Sequence, residues 1–367
     1  MSRGVEIVRL GEVRPHPTPE AAAPPEPLSH QAPWSAYRVA GKPGAELFPG
    51  SRLRRLGRAQ AMALCAVKLS LQGGARPMTA QGDEVAVCVG TAWAELGVEL
   101  DFLENMIRRG EKGARPTKFA NSVHNALASQ VAMEFNFTGE NHSFTHDTLS
   151  FEDALWQGRN LLSRGRARRV VVCGVDALTD FLLLRGHLLG DLRPGPAPLR
   201  PLQEPEPRTG TLPGEGAAAM VLAPAGESPH ALARLAAVVA RGPCRRQEIS
   251  MADEVAFIEE AAAQAGLPPA GFHLLVGANG GSRDASYHEV AQKIAPSGGV
   301  GVYRHLTGDY ATASALGLAL AARTVAAGAL PDEVRLVQGS APGGPTPVLL
   351  YHLSRSGNHS ALVLSPV

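Results

Sequence analysis

The stretch Ser143-Phe144-Thr145-His146-Asp147-Thr148-Leu149-Ser150-Phe151-Glu152-Asp153-Ala154-Leu155 gathers hydroxyls, an imidazole and carboxylates where a short apolar run gives way to a helical pattern. A group held at such a strand-to-helix turn faces the positive end of the helix dipole, which favours a thiolate or a developing negative charge. The layout is that of a nucleophile elbow, but it holds no cysteine. Thr148 and Ser150 are the hydroxyls in place, and an aliphatic hydroxyl needs an adjacent general base to attack anything. His146 is the candidate base and His142 flanks the same turn, although strand and loop histidines are more often structural or solvated.

The elements around the turn must position it. Ser150 stands where an N-cap belongs, Asp153 three residues on completes a capping-box pattern, and Glu152 and Asp153 suit the first helical turn. Phe151, Ala154, Leu155, Gly158, Leu161 and Leu162 line one helical face, and Gly165 stops the helix before a strand at 169–174. The unit reads strand, sharp turn, buried helix, strand.

That unit and its flanks resemble the beta-ketoacyl synthases of the thiolase superfamily. In that family a Cys-x-Ser turn lies about seventeen residues before the glycine that ends the helix, so the cysteine maps to Thr148 and the following serine to Ser150. Asn121-Ser122-Val123-His124-Asn125 looks like the segment before the elbow, the strand at 84–89 runs into Gly90-Thr91-Ala92, and Gly214-Glu215-Gly216-Ala217 is similar to the family's Gly-Glu-Gly-Ala. The resemblance spans roughly residues 50 to 365. It implies an α/β, thiolase-like fold: two pseudo-symmetric halves, 1–228 and 229–367, in a five-layer α-β-α-β-α sandwich, with the pseudo-elbow and the dimer interface in the first half.

The same comparison locates two family histidines. The first aligns with Asn279 in Gly277-Ala278-Asn279-Gly280-Gly281-Ser282, and a one-residue shift would place Ala278 there. In Arg304-His305-Leu306-Thr307-Gly308-Asp309 the family's Thr-Gly-His becomes Thr-Gly-Asp, and its lysine becomes Arg304. The C-terminal gate reads Ser354-Arg355-Ser356-Gly357-Asn358-His359, which makes Arg304, Asn358 and His359 candidate pocket residues. By the family's chemistry a thiolate takes the acyl chain and two imidazoles stabilise the enolate formed on decarboxylation. Asn279 is a poor proton acceptor, and Asp309 would set negative charge beside a developing oxyanion. Asp284 and Glu289, which follow the first motif, suit structural hydrogen bonds or a salt bridge.

Composition bounds the alternatives. With 367 residues the chain can bury a large core, and 35 Lys and Arg against 34 Asp and Glu give a formal charge of +1, which argues against nucleic acid or an anionic membrane as partner. The runs at 108–112 and 164–169 suit solvated surface before they suit an acidic carrier protein. No apolar run approaches a membrane span and the N-terminus lacks a signal-peptide core, so the cytoplasm is the expected location. Cys65, Cys88 and Cys173 lie in apolar patterns and read as buried thiols, while Cys244 reads as an ordinary exposed loop residue. No spacing suggests a disulfide framework or a metal site, and no cofactor is called for.

Elsewhere the pattern predicts strands at 5–10, 84–90, 217–222, 231–240, 273–278, 334–338, 346–353 and 361–365. It predicts helices at 53–71, 97–109, 122–134, 151–164, 253–266, 285–295 and 310–328. Residues 15–35 and 194–213 read as loops.

The resulting expectation is a catalytically silent, chain-length-factor-type subunit. The wording of the motifs is most similar to the ketosynthase-like proteins of aryl-polyene and flexirubin-type pigment pathways. Such a subunit forms a heterodimer with an active ketosynthase through residues around 122–147 and acts with an acyl carrier protein in polyketide or fatty-acid-like elongation. Two alternatives stay open. One is an acyltransferase or thioesterase-like enzyme using Thr148 or Ser150, and the other is a homodimeric module that binds acyl chains or carrier proteins.

Overall fold

A computed structural model describes residues 4–22, 34–73, 78, 81–193, 210–242, 249–339 and 344–367. Cys244 and most of the 194–213 loop lie outside them. The first half runs β1 (Val5–Val13), the ribbon strands β2 (Glu20–Ala22) and β3 (Trp34–Ala36), α1 (Gly50–Leu53), α2 (Arg58–Gln72), β4 (Val85–Gly90) and α3 (Leu96–Arg109). It continues with α4 (Pro116–Ser122), α5 (Ala126–Phe135), β5 (Asn141–Phe144), α6 (Ser150–Ser163), β6 (Arg169–Asp176), α7 (Asp180–Leu188) and β7 (Gly216–Pro224). The second half runs β8 (Ala233–Arg241), α8 (Met251–Gln264), β9 (His273–Val276), α9 (Asp284–Ile294), β10 (Gly299–Val302) and α10 (Arg304–Thr307). It ends with α11 (Ser314–Ala327), β11 (Arg335–Gln338), β12 (Val348–Leu353) and β13 (His359–Ser365).

Eleven strands join in the order β11-β10-β9-β12-β13-β8-β1-β7-β6-β4-β5. The halves repeat one topology. In the first, β4 is parallel to β5 and β6, β6 is antiparallel to β7, and β7 is antiparallel to β1. In the second, β9 is parallel to β10 and β12, β12 is antiparallel to β13, and β13 is antiparallel to β8. The seam is the short β1–β8 pairing.

Period-two alternation with both faces apolar places the layers. In β4, Val85, Val87 and Val89 pack toward α2 and α5, while Ala86 and Cys88 join the central layer of α6 and α11. In β12, Val348 and Leu350 join that central layer, and Leu349 and Tyr351 pack on the far side against α8 and α9. Helix, sheet, helix, sheet, helix is the five-layer sandwich the resemblance implies. Among the described residues no helix is long and apolar enough to cross a membrane.

Several expectations change in detail. The helix predicted at 122–134 begins only at Ala126, and an unforeseen α4 precedes it, because Val123 is extended (ψ 146°) and the Ser122 hydroxyl turns back to the Phe119 carbonyl at 2.9 Å. The predicted 15–35 loop contains β2 and the start of β3, paired to each other. The 310–328 helix starts at Ser314, and β10, α7 and the one-turn α10 were not foreseen: Gly-Val-Gly-Val is too short and glycine-rich to announce a strand.

Candidate functional site

The parallel strands of both halves end on one side, and their carboxyl ends surround a cleft of about 780 Å³. Ligands of open α/β sheets sit at such ends, and this volume is in the usual range for a small-molecule pocket. Thr148 follows β5, Asn279 follows β9 and Asp309 follows β10, and all three line the cleft. The structure thus brings Thr148, Asn279 and Asp309, the three positions singled out in the sequence, together on one cleft.

The elbow is a tight turn. Asp147 adopts φ 48°, the left-handed region that a non-glycine residue occupies only under constraint. The constraint is Ser150: its hydroxyl accepts from the His146 N–H at 2.8 Å and donates to the Asp147 carbonyl at 2.7 Å. Ser150 is therefore the first residue of α6 and not its N-cap, and the expected capping box is absent. Asp153 instead meets His146 Nδ1 at 2.9 Å. A Cβ on Gly90 would lie 2.3 Å from the Ser150 carbonyl, so the end of β4 must be glycine for the elbow to rest on it.

These bonds bear on the oxygen nucleophiles. Ser150 is fully buried with its hydroxyl committed to the turn, and His146 is half-exposed beside Asp153 and does not line the cleft. Thr148 is half-buried and faces the cleft, but the group that meets its Oγ1 is Asn358 Nδ2, a donor, at 3.1 Å. No base stands beside that hydroxyl among the described residues. The thiols offer no substitute: burial pushes Cys65 up to about 11 and Cys88 and Cys173 up to about 12, and none lines the cleft.

The deep end is electrostatically closed. Arg304 is buried beneath the cleft, where its guanidinium donates to Asp309 and, at 3.2 Å, to the Tyr310 carbonyl. His352, which the sequence reading missed, lines the cleft 3.4 Å from Arg304 and 3.3 Å from the Tyr287 hydroxyl. Burial first, and then the neighbouring Arg304 charge, hold this imidazole well below its ordinary pKa, so it is neutral and a weak base. At the mouth Arg355 pairs with Asp191, and Ser356 donates to Asp147 at 3.2 Å. His359 is buried against Phe257 and the Tyr351 hydroxyl, away from the cleft.

Two further carboxylates brace the site. Asp176, at the end of β6, accepts from Thr91, Ala92 and Trp93 through one oxygen and from the Thr312 backbone and hydroxyl through the other, pinning both halves together. Asp284 accepts from the Asn279 and Gly280 N–H groups, each at 3.0 Å, and burial raises it to about 6. That is the structural role expected of it, whereas Glu289 is exposed on α9. Glu215, of the Gly-Glu-Gly-Ala stretch, is fully buried and accepts from Arg58, Val39 and Leu178. The basic runs are largely paired at the surface, as in Arg108–Glu104 and Arg168–Glu84.

The fold is shared with solved structures of low sequence identity. A beta-ketoacyl synthase from Burkholderia phymatum STM815 superposes with a TM-score of 0.81 at 14% identity, covering 100% of both chains. The ishigamide ketosynthase/chain length factor matches with a TM-score of 0.79 at 16% identity, again over 100% of both. AntDE:AntF, a type II PKS acyl-carrier protein in complex with its ketosynthase bound to the hexaketide, matches at 0.78 and 16%, with 100% of both covered. No curated protein sequence matches the chain. The sequence pattern described as Beta-ketoacyl synthase, N-terminal domain, matches residues 32–228, more than half of the chain, and the elbow it contains lies in the geometry described above. This chain belongs to the beta-ketoacyl synthase family.

Proposed function

We propose that this chain is a catalytically silent, chain-length-factor-type subunit that pairs with an active ketosynthase and supports elongation on an acyl carrier protein, in the cytoplasm and in an aryl-polyene-like polyketide pathway. The observation that carries the proposal is the chemistry of the cleft. The cleft holds a threonine without a base, a neutral amide and an arginine-paired carboxylate, at the positions where the resemblance would put a cysteine and two imidazoles. None of these can form an acyl-thioester enzyme or stabilise an enolate by protonated imidazole. Solved structures of the same fold include the ishigamide ketosynthase/chain length factor and the AntDE:AntF complex of ketosynthase and carrier protein, which supports the same partners here.

The pairing surface fits this reading. β5 ends the sheet and bonds only to β4 among the described strands, leaving one edge open. Around it Met133 on α5, Trp156 on α6 and Phe119 on α4 are exposed apolar side chains of the kind that a partner covers. The two-unit division at residue 228 falls in the connection between β7 and β8 and belongs to the same proposal.

Co-expression with the intact ketosynthase encoded nearest to it, followed by size and activity measurement, tests the proposal. A stable heterodimer with elongation activity absent from this chain alone is expected. Decarboxylation or condensation by the pure chain, or a homodimer that ignores the ketosynthase, overturns it. The oxygen-nucleophile alternative loses its serine to the turn and its histidine to the surface.

A further inference from the structure

We propose that Asn279 and Gly280 form a self-modification site, at which the Gly280 backbone nitrogen closes on the Asn279 side chain, expels ammonia and leaves aspartate or isoaspartate after hydrolysis. The reaction needs neither a partner nor a substrate, so it stands or falls apart from the pairing reading.

The sequence holds a single Asn-Gly pair, and this is it. A glycine nitrogen is the least hindered backbone nucleophile, since no Cβ stands beside it, and Gly280 adopts φ 84°, where an L side chain would be strained. The fold adds the groups that ring closure uses. Asp284 Oδ2 accepts from the Gly280 N–H at 3.0 Å, which sets a carboxylate on the proton that has to leave for the nitrogen to attack. The Gly281 N–H donates to Asn279 Oδ1 at 3.0 Å, the oxygen on which negative charge develops when the carboxamide carbon is attacked. Asp284 Oδ1 is held by the Asn279 N–H, also at 3.0 Å, so the base is anchored on the residue it helps to modify. Asn279 and Gly280 are half-buried and Asn279 lines the cleft, where water has access.

The balance closes with water alone. Gly280 N–H gives its proton to Asp284, the nitrogen bonds to Asn279 Cγ, the Cγ–Nδ2 bond breaks, and Nδ2 leaves as ammonia carrying that proton. Water then opens the cyclic imide: cleavage at Cγ gives aspartate, and cleavage at the backbone carbonyl carbon gives isoaspartate. Asp284 is placed to act in the neutral range. Burial foremost raises its carboxyl to about 6, the Asn279 and Gly280 N–H groups oppose this, Asp309 adds to it and Arg304 opposes it. The neighbouring Tyr287 hydroxyl is pushed up by burial and stays protonated. The product sets a carboxylate on the cleft where a neutral amide stood.

The test is to age the full folded chain at neutral pH and to follow Asn279 by peptide mass spectrometry and isoaspartate detection, beside the same chain unfolded in urea. Conversion at Asn279 faster in the folded chain than in the unfolded one is expected, with Asn121-Ser122 in the same digests as the slow reference. D284N should slow the folded reaction about tenfold or more. A folded rate at or below the unfolded rate, or a D284N rate equal to the parent's or higher, shows that Asp284 only restrains the turn and overturns the inference. Should D284N fail to fold, the pH profile of the parent decides. A rate that rises through about pH 6 and then levels supports the carboxylate base, and one that keeps climbing about tenfold per pH unit belongs to hydroxide and refutes it.

Discussion

Arg304 donates to Asp309 from inside the core: the guanidinium is 1% exposed, whereas the carboxylate, at 28%, meets the cleft. The pair is held within the protein itself, so the Asp309 carboxylate that faces the cleft is also part of the support beneath it. Replacing Asp309 with Asn strands a buried cation. We expect D309N to lose on the order of 3 kcal/mol in urea unfolding, the low end for a broken buried pair because Asp309 is partly solvated. The double variant R304M/D309L should lose less than D309N. D309H, which places an imidazole in the cleft, should not confer decarboxylation while Thr148 and Asn279 remain.

Glu152 lies on the first turn of α6, fully buried, with one oxygen accepting from Ser360 at 2.9 Å. Burial raises its pKa from 4.5 to about 7. The folded protein then holds a proton that the unfolded chain releases near 4.5, so this group's contribution to stability falls as the pH rises from about 4.5 to 7. Replacement by glutamine removes the titration. Between about pH 4 and pH 8 the stability of E152Q relative to the parent should improve by on the order of 3 kcal/mol, measured by denaturant midpoints across that range. A constant difference would show that Glu152 does not titrate in this window.

Ser150 holds the elbow and should behave as a structural residue. S150A should cost about 1–2 kcal/mol by orphaning the His146 N–H, and mass spectrometry after incubation with a reactive acyl thioester should find no adduct on Thr148 or Ser150 in the parent or the variant. H146A, which breaks only an exposed pair with Asp153, should change stability by less than about 1 kcal/mol.

The exposed apolar side chains beside β5 should matter to assembly and not to folding. M133E and W156E place charges on residues that are 64% and 53% exposed, so the melting temperature of the isolated chain should move little. Affinity for the proposed ketosynthase partner should fall at least tenfold, read by analytical ultracentrifugation of the mixture. Unchanged assembly in both variants would move the interface elsewhere.

The fold was legible where periodicity is strong. Phe151, Ala154, Leu155 and Leu161 announce α6, and the apolar runs of β4, β6 and β7 announce strands buried on both faces. The convergence of Thr148, Asn279 and Asp309 on one cleft was legible only through the resemblance, since nothing in local spacing tells which strand ends share a face. Asp176 and His352 were missed for that reason: each sits near the end of an apolar strand and gains meaning only from what the other half of the molecule brings to it. Ser150 was misread because a capping serine and a turn-locking serine differ by one residue in where the helix begins. His359, by contrast, lies two residues from the gate's glycine, yet its side chain faces the far layer.

β5 lies at the rim of the sheet, and Thr148 follows its last residue, Phe144, by only four positions, through a turn already wound into a left-handed bend at Asp147. Outer rim and inner chamber thus share one short lever. Thermodynamic reciprocity then requires that whatever preference a docked neighbour imposes on the chamber's contents, those contents return to the neighbour in equal measure.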